Sequence, residues 1–227
     1  MLVHAVGHLQ QASGESVQAD SEREVDLTST GLPISAMQKE HSIMTTYLQH
    51  LSFLASIACT SPGYRGRVEA SELKPVRPGG NPFQPGEVLP NQTGWVTATD
   101  FPLSPQPFWF GCFRHADGSL GYEIRRWARH EAYHNYRLDL SQNSYVGLYA
   151  PGSEPLAHWW MGDVQFNGFT VEPGLHSRMH LLANRKKPLR AHTRRQVRDH
   201  WYCFLNAENG DVLEFTLDIQ SVGEERR

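Results

Sequence analysis

Apolar positions along the chain change their period. Over residues 36–58, AMQKEHSIMTTYLQHLSFLASIA, the residues Met37, Ile43, Met44, Tyr47, Leu48, Leu51, Leu54 and Ala58 recur near helical spacing. Ser35 stands where it can cap, and Ser61-Pro62-Gly63 stops the run. The spacing predicts one helix there. From residue 108 onward the period is two. FWFGCFRH and LGYEIRRWA flank Asp117-Gly118 and predict a hairpin. Tyr136, Leu138 and Leu140 alternate, as do Tyr145, Gly147 and Tyr149, then Val164, Phe166 and Gly168. Further apolar runs cover 179–182, 197–205 and 212–219, with SQN, APGSEP, EPG, NRKKP and NAENG as turns between runs. About six to eight strands at this spacing predict one antiparallel sheet, closed into a barrel or folded as a sandwich.

Two stretches lack either period. Residues 1–35 are polar, broken by Gly and Ser, and are expected to be a mobile N-terminal tail. Residues 61–107 are dense in proline and glycine, which fits ordered loops with short strands around Val88 and Trp95–Thr99. The expectation is therefore a mainly β (α+β) chain. An antiparallel β-barrel or sandwich with one N-terminal helix forms a single domain over 36–222: helix 36–58, loops 61–107 and strand meander 108–222.

Composition narrows the classes. With 227 residues, 39% hydrophobic and 11% aromatic, the chain can build one sizeable core. A net charge of −3 gives no case for a nucleic-acid partner. The cysteines, at 59, 112 and 203, form no CxxC pair, which argues against a disulfide framework and for a reducing interior. The N-terminus has no basic n-region or apolar h-region, and no run approaches the roughly 18 apolar residues of a membrane helix. A soluble, cytoplasmic protein is expected, without a membrane partner.

Twelve histidines turn attention to metal and proton chemistry. His130-Glu131-Ala132-Tyr133-His134 matches H-E-x-x-H. On a helix, His130 and His134 stand one turn apart and share a zinc ion, and Glu131 is the general base on the metal-bound water. On a strand the same histidines would lie about 13 Å apart and could share no metal. The flanks, RRWAR before and YRLDL after, read more as strand than as helix. Glu154, His158 and His176 are the available third ligands. Pro62-Gly63-Tyr64-Arg65-Gly66, followed by Gly94-Trp95-Val96-Thr97-Ala98-Thr99, resembles the Arg-then-Ser/Thr order of mono-ADP-ribosyltransferase toxins. The resemblance implies that Arg65 holds the NAD phosphates and Thr97 or Thr99 orders the site. Glu154 or Glu172 would act alone, since the chain has no E-x-E.

Arg185, Lys186, Lys187, Arg190, Arg194, Arg195 and Arg198 run without an acid before Asp199. Such a stretch can hold phosphate or nucleic acid, or contact an acidic partner, but it spans a turn and a strand whose outer face must be polar, and no aromatic-interleaved motif accompanies it, which fits a solvated face. The tryptophans and tyrosines of the second half either fill a barrel or line its pocket. His158, His180 and Arg137 are acid–base and anion partners by type alone.

The meander over about 108–220, the helix before it and the late segments VQFNGFTVEPG and HWYCFLNAENGDVLEFTLDI resemble the calycins, the lipocalin-like barrels. Gly94-Trp95 stands without the spacer of the lipocalin G-x-W. The resemblance implies a barrel that binds, and in some members transforms, a small, largely apolar molecule. That is the leading expectation. The alternatives are a zinc-dependent hydrolase using His130, Glu131 and His134, and an NAD-using transferase built around Arg65.

Overall fold

The computed structural model describes residues 45–77, 86–152, 158–163, 165, 168–184 and 186–225. The tail expected over 1–35 lies outside them. Every strand pairing among the described residues is antiparallel. Among these residues seventeen strands follow one another: β1 Thr46–Tyr47, β2 Phe53–Cys59, β3 Gly66–Glu69, β4 Glu72–Val76, β5 Glu87–Asn91, β6 Thr97–Thr99, β7 Pro107–Arg114, β8 Leu120–Arg126 and β9 Arg137–Leu140, then β10 Val146–Tyr149, β11 Trp160–Gly162, β12 Gly174–Ala183, β13 Lys187–Pro188, β14 Arg190–Val197, β15 His200–Asn206, β16 Asp211–Val212 and β17 Phe215–Val222. Fifteen of them build one curled, half-barrel sheet, and β4 and β5 pair only with each other.

The expected helix is corrected. Residues 36–44 lie outside the described residues, and 45–59 form β1, a 3-10 turn at Gln49–Leu51 and β2. Among the described residues there is no α-helix. The physical reason is visible in β2. Phe53, Ala55, Ile57 and Cys59 alternate into the core, none more than 4% exposed. The helical stripe uses Leu51, Leu54 and Ala58 and leaves out those four residues. A helix would strand Phe53 and Ile57. The strand buries both and satisfies its backbone against β7 on one side and β17 on the other.

The hairpin at Asp117–Gly118 forms as the pattern predicts, with Phe110 opposite Ile124 and Cys112 opposite Tyr122. The proline-rich stretch holds more strand than its composition suggests. Pro75 and Pro90 sit in the isolated β4–β5 ribbon, opposite Val88 and Leu73. A ribbon with free edges can spare the amide hydrogens that proline lacks. The run 197–205 splits at Arg198, whose φ of 56° turns β14 into β15. Residues 168–173, part of a late calycin-like segment, carry no strand.

The core is aromatic. Phe53 stacks on Phe110 at 4.7 Å, with Tyr122 edge-on at 5.8 Å. Trp159 is fully buried, and its indole Nε1 donates to the Leu138 carbonyl at 3.0 Å. Cys59, Cys112 and Cys203 are free and buried, and burial pushes their thiols up to about 11, 11 and 12. The sheet curls far enough for β10 to meet the segment leading into β6. Leu148 N–H donates to Gly94 at 2.7 Å and Val96 N–H to Val146 at 3.0 Å. Among the described residues no helix is long and apolar enough to cross a membrane.

Candidate functional site

β8 ends in Arg125-Arg126, with Trp127 next, and β3 ends in Glu69, followed by Ala70-Ser71. Between these two ends lies a cleft of about 490 Å³. Glu69, Gln106, Arg126 and Glu131 line its polar side, and Trp127 with Leu103 its apolar side. Pro90, Pro105 and Pro107 add rigid, donor-free wall.

The turn after β8 is pinned by its backbone. Trp127 N–H donates to Pro107 at 2.9 Å, Asn135 N–H to Arg126 at 2.8 Å and Arg126 N–H to Tyr136 at 2.9 Å. The Arg126 guanidinium then threads the turn. It donates to the Ala132 carbonyl and pairs with Glu131 at 2.5 Å. Gln92, just past β5, donates to the same carboxylate at 3.2 Å. Arg126 is 2% exposed, Glu69 6% and Gln106 8%. Each nevertheless keeps a buried polar atom with no hydrogen-bond partner among the described residues: Nε of Arg126, Oε1 of Glu69 and Oε1 of Gln106. Burial pushes the Glu69 carboxyl up to about 7, and the charges of Arg126 and Arg67 only partly offset it. Glu69 therefore exchanges its proton near neutrality, where a general acid or base works best.

The H-E-x-x-H motif lies on this rim, but on turns. His130, Tyr133 and Asn135 have φ of 70°, 58° and 63°. Three left-handed residues in so short a span cannot continue a right-handed helix. His130 and Glu131 are exposed, and Glu131 is committed to Arg126. His134 packs edge-on against Trp127 at 4.7 Å, and desolvation with the nearby cations Arg129, Arg126 and His130 lowers its pKa. Among the described residues no three His, Cys, Asp or Glu side chains gather around a point that could hold a metal ion. The one-turn spacing that a shared zinc requires is not formed here.

The other sequence candidates are dispersed. Arg65 is exposed in the turn between β2 and β3 and does not line the cleft. Thr97 and Thr99 are buried in β6, donating to the carbonyls of Ser71 at 2.5 Å and Trp201 at 2.7 Å. These bonds lock β6 to its neighbours. Glu172 is exposed, and Glu154 lies outside the described residues. His176 sits 2.8 Å from the Glu172 carbonyl, and His180 sits 3.0 Å from that of Leu213. His158 is 3.9 Å from Asp139, with Arg137 also 3.9 Å from that carboxylate, and burial lowers the His158 pKa. Glu69, Gln106 and Arg126 escape a reading by motif, because they come from three segments with no fixed spacing. The one local signal is β8 itself, where Glu123, Arg125 and Arg126 interrupt an otherwise apolar strand.

No protein-family model matches the chain, and neither curated proteins nor solved structures give a match.

Proposed function

We propose that this chain is a barrel-like domain that binds, and has the acid–base group to transform, a small molecule with an apolar body and a hydrogen-bonding end. Trp127, Leu103 and the prolines would take the body, and Glu69, Gln106 and Arg126 the polar end. One observation carries the proposal. Three buried polar side chains share one cleft wall, and each has an atom without a partner among the described residues. An unsatisfied buried polar atom costs about 1–3 kcal/mol. Three beside one cavity call for a partner that a polar guest or an ordered water would supply. Glu69 supplies the proton transfer, since it can be neutral and donate or ionised and accept near pH 7. The meander and curled sheet favour the calycin-like reading of the scaffold. With the interior filled by core side chains, the proposed ligand would sit at the rim rather than along the axis. Free, buried thiols suit a reducing, cytoplasmic setting.

The test is a screen of small amphipathic acids, amides and alcohols by ligand-observed NMR, with hits followed by titration. Hits are expected to weaken at least about tenfold in Gln106→Ala and in Glu69→Gln, which corresponds to about 1.4 kcal/mol of lost interaction. Hits that bind both variants as tightly as the parent, in proteins that melt normally, would make the cleft a structural feature.

A further inference from the structure

Independently of the cleft, we infer that the outer face of β14, β15 and β10 is a binding surface for single-stranded nucleic acid. The basic stretch of the sequence lacks interleaved aromatics of its own. The fold supplies them from other strands. Phe204 of β15 stands opposite His192 of β14, and Tyr202 opposite Arg195, so these side chains share a face. Tyr145 meets Phe204 edge-on at 5.7 Å and His192 at 5.3 Å, and Trp95 meets Tyr145 at 6.0 Å. Trp95, Tyr145 and Phe204 are each only half-buried. They form a line of aromatic surface from three separate segments.

Two open grooves flank Trp95. One, of about 570 Å³, runs past Tyr145, Tyr149 and Asn143. The other, of about 270 Å³, is walled by Tyr133, Tyr149 and the glycines 94 and 147. Side chains at those glycines would narrow it, since a Cβ on Gly147 would press on the Trp95 and Tyr149 rings. Flat grooves beside aromatic rings suit planar bases, which stack without regard to sequence.

The charge matches a phosphate chain. Register in β14 slips between His192 and Arg195, and Thr193 takes φ of 53°. A β-branched residue in that region is strained. The bulge sends consecutive arginines to opposite faces: Arg194 over Trp201 at 4.8 Å and Arg195 over Phe204 at 5.4 Å. Arg190 continues the row on the Arg195 side, its guanidinium also donating to the Gly210 carbonyl at 2.9 Å, and Lys187 is already paired with Glu208. Glu72 reaches this face through Tyr202, whose hydroxyl donates to it at 3.2 Å. Arg195 is exposed and sits on the Phe204 ring, with no carboxylate ion pair among the described residues, whereas Arg194, over Trp201, belongs to the other face. The net charge of −3 belongs to the whole chain and does not describe this face.

Fluorescence anisotropy with a labelled single-stranded oligonucleotide of about twelve nucleotides tests the inference. Micromolar binding at low salt is expected, weakening as salt rises with a log–log slope of roughly −1.4 for about two neutralised phosphates. Arg195→Glu is expected to weaken binding about tenfold and flatten that slope. Phe204→Ala should weaken it at least about fivefold, the loss of one stacked base. Arg114→Glu, the same charge change at the exposed end of β7, should bind as the parent does. Absence of binding at low salt overturns the inference. So does equal binding of heparin or duplex DNA with no effect of Phe204→Ala, which would mark a generic polyanion face. Preference for an acidic peptide over the oligonucleotide would assign the surface to a protein partner and overturn it as well.

Discussion

Glu69→Gln is expected to stabilise the protein at pH 8 by up to about 3 kcal/mol and to change little at pH 5. The carboxyl is pushed from 4.5 to about 7 in the folded chain, mainly by burial. Every tenfold change in acidity corresponds to about 1.36 kcal/mol. A raised carboxyl pKa means that the folded state holds its proton more tightly than the unfolded state. Between about pH 4.5 and 7 the folded state therefore binds more protons, and stability falls as pH rises. Above pH 7 the full cost of ionising a buried group is present. Glutamine keeps the shape and one acceptor oxygen, replaces the ionisable oxygen by an NH2 donor, and removes that cost. His134 and His158, whose pKa values are lowered, act in the opposite sense, adding stability as pH rises through the imidazole range. Urea unfolding of parent and variant at both pH values separates these contributions, because the histidines are the same in both proteins. An equal gain at pH 5 and pH 8 would mean that Glu69 is not a desolvated acid, and the proton-transfer role proposed for it would go with that result.

Gly66→Ala is the second large effect. Gly66 opens β3 opposite Cys59, and a Cβ there would overlap the carbonyl of Thr99 and approach the Asp100 nitrogen to 3.0 Å. Neither is the free end of a side chain. β6 is hydrogen-bonded to β3 on one side and β15 on the other, so it cannot step aside. Overpacking against fixed backbone costs typically about 1–3 kcal/mol and more where nothing relaxes. We expect at least about 3 kcal/mol, read as a shift of the urea midpoint with an unchanged slope. Gly63→Ala, three residues earlier, is the matched control. Its φ of 80° makes alanine strained, but a Cβ there meets nothing within 4 Å. Its cost should stay near about 1–2 kcal/mol. Equal midpoints for the two variants would mean that β3 does not pack against β6 this closely.

Local signals make some elements legible in the sequence and leave others hidden. The hairpin around Gly118 is legible because turn chemistry and alternation are both local. β2 is not, because its segment carries two interleaved apolar sets: Leu51, Leu54 and Ala58 keep helical spacing while Phe53, Ala55, Ile57 and Cys59 alternate. Only the partners on either side, β7 and β17, decide between them, and β17 lies at the far end of the chain. β4 and β5 are hidden by their prolines, which an isolated ribbon tolerates and a central strand would not. The cleft is the least legible part. Glu69, Gln106 and Arg126 belong to no spacing pattern, whereas H-E-x-x-H has a conspicuous one and folds into turns. The aromatic line is likewise invisible beside the basic stretch, since Trp95, Tyr145 and Phe204 meet only through strand register.

The β4–β5 ribbon lends Pro90 to the cleft, and Gln92 follows directly after it, yet the ribbon shares no ladder with the main sheet among the described residues. Side-chain bonds tie it down: Tyr202 to Glu72, Gln92 to Glu131 and Thr97 to the Ser71 carbonyl. A two-stranded ribbon is marginally stable alone. One wall of the cavity can therefore unzip on its own clock, at a free energy below that of global unfolding. Amide exchange in residues 72–76 and 87–91 is therefore expected to outpace that of β2 and β7, and a ligand of the proposed kind, bridging ribbon and sheet, is expected to slow it.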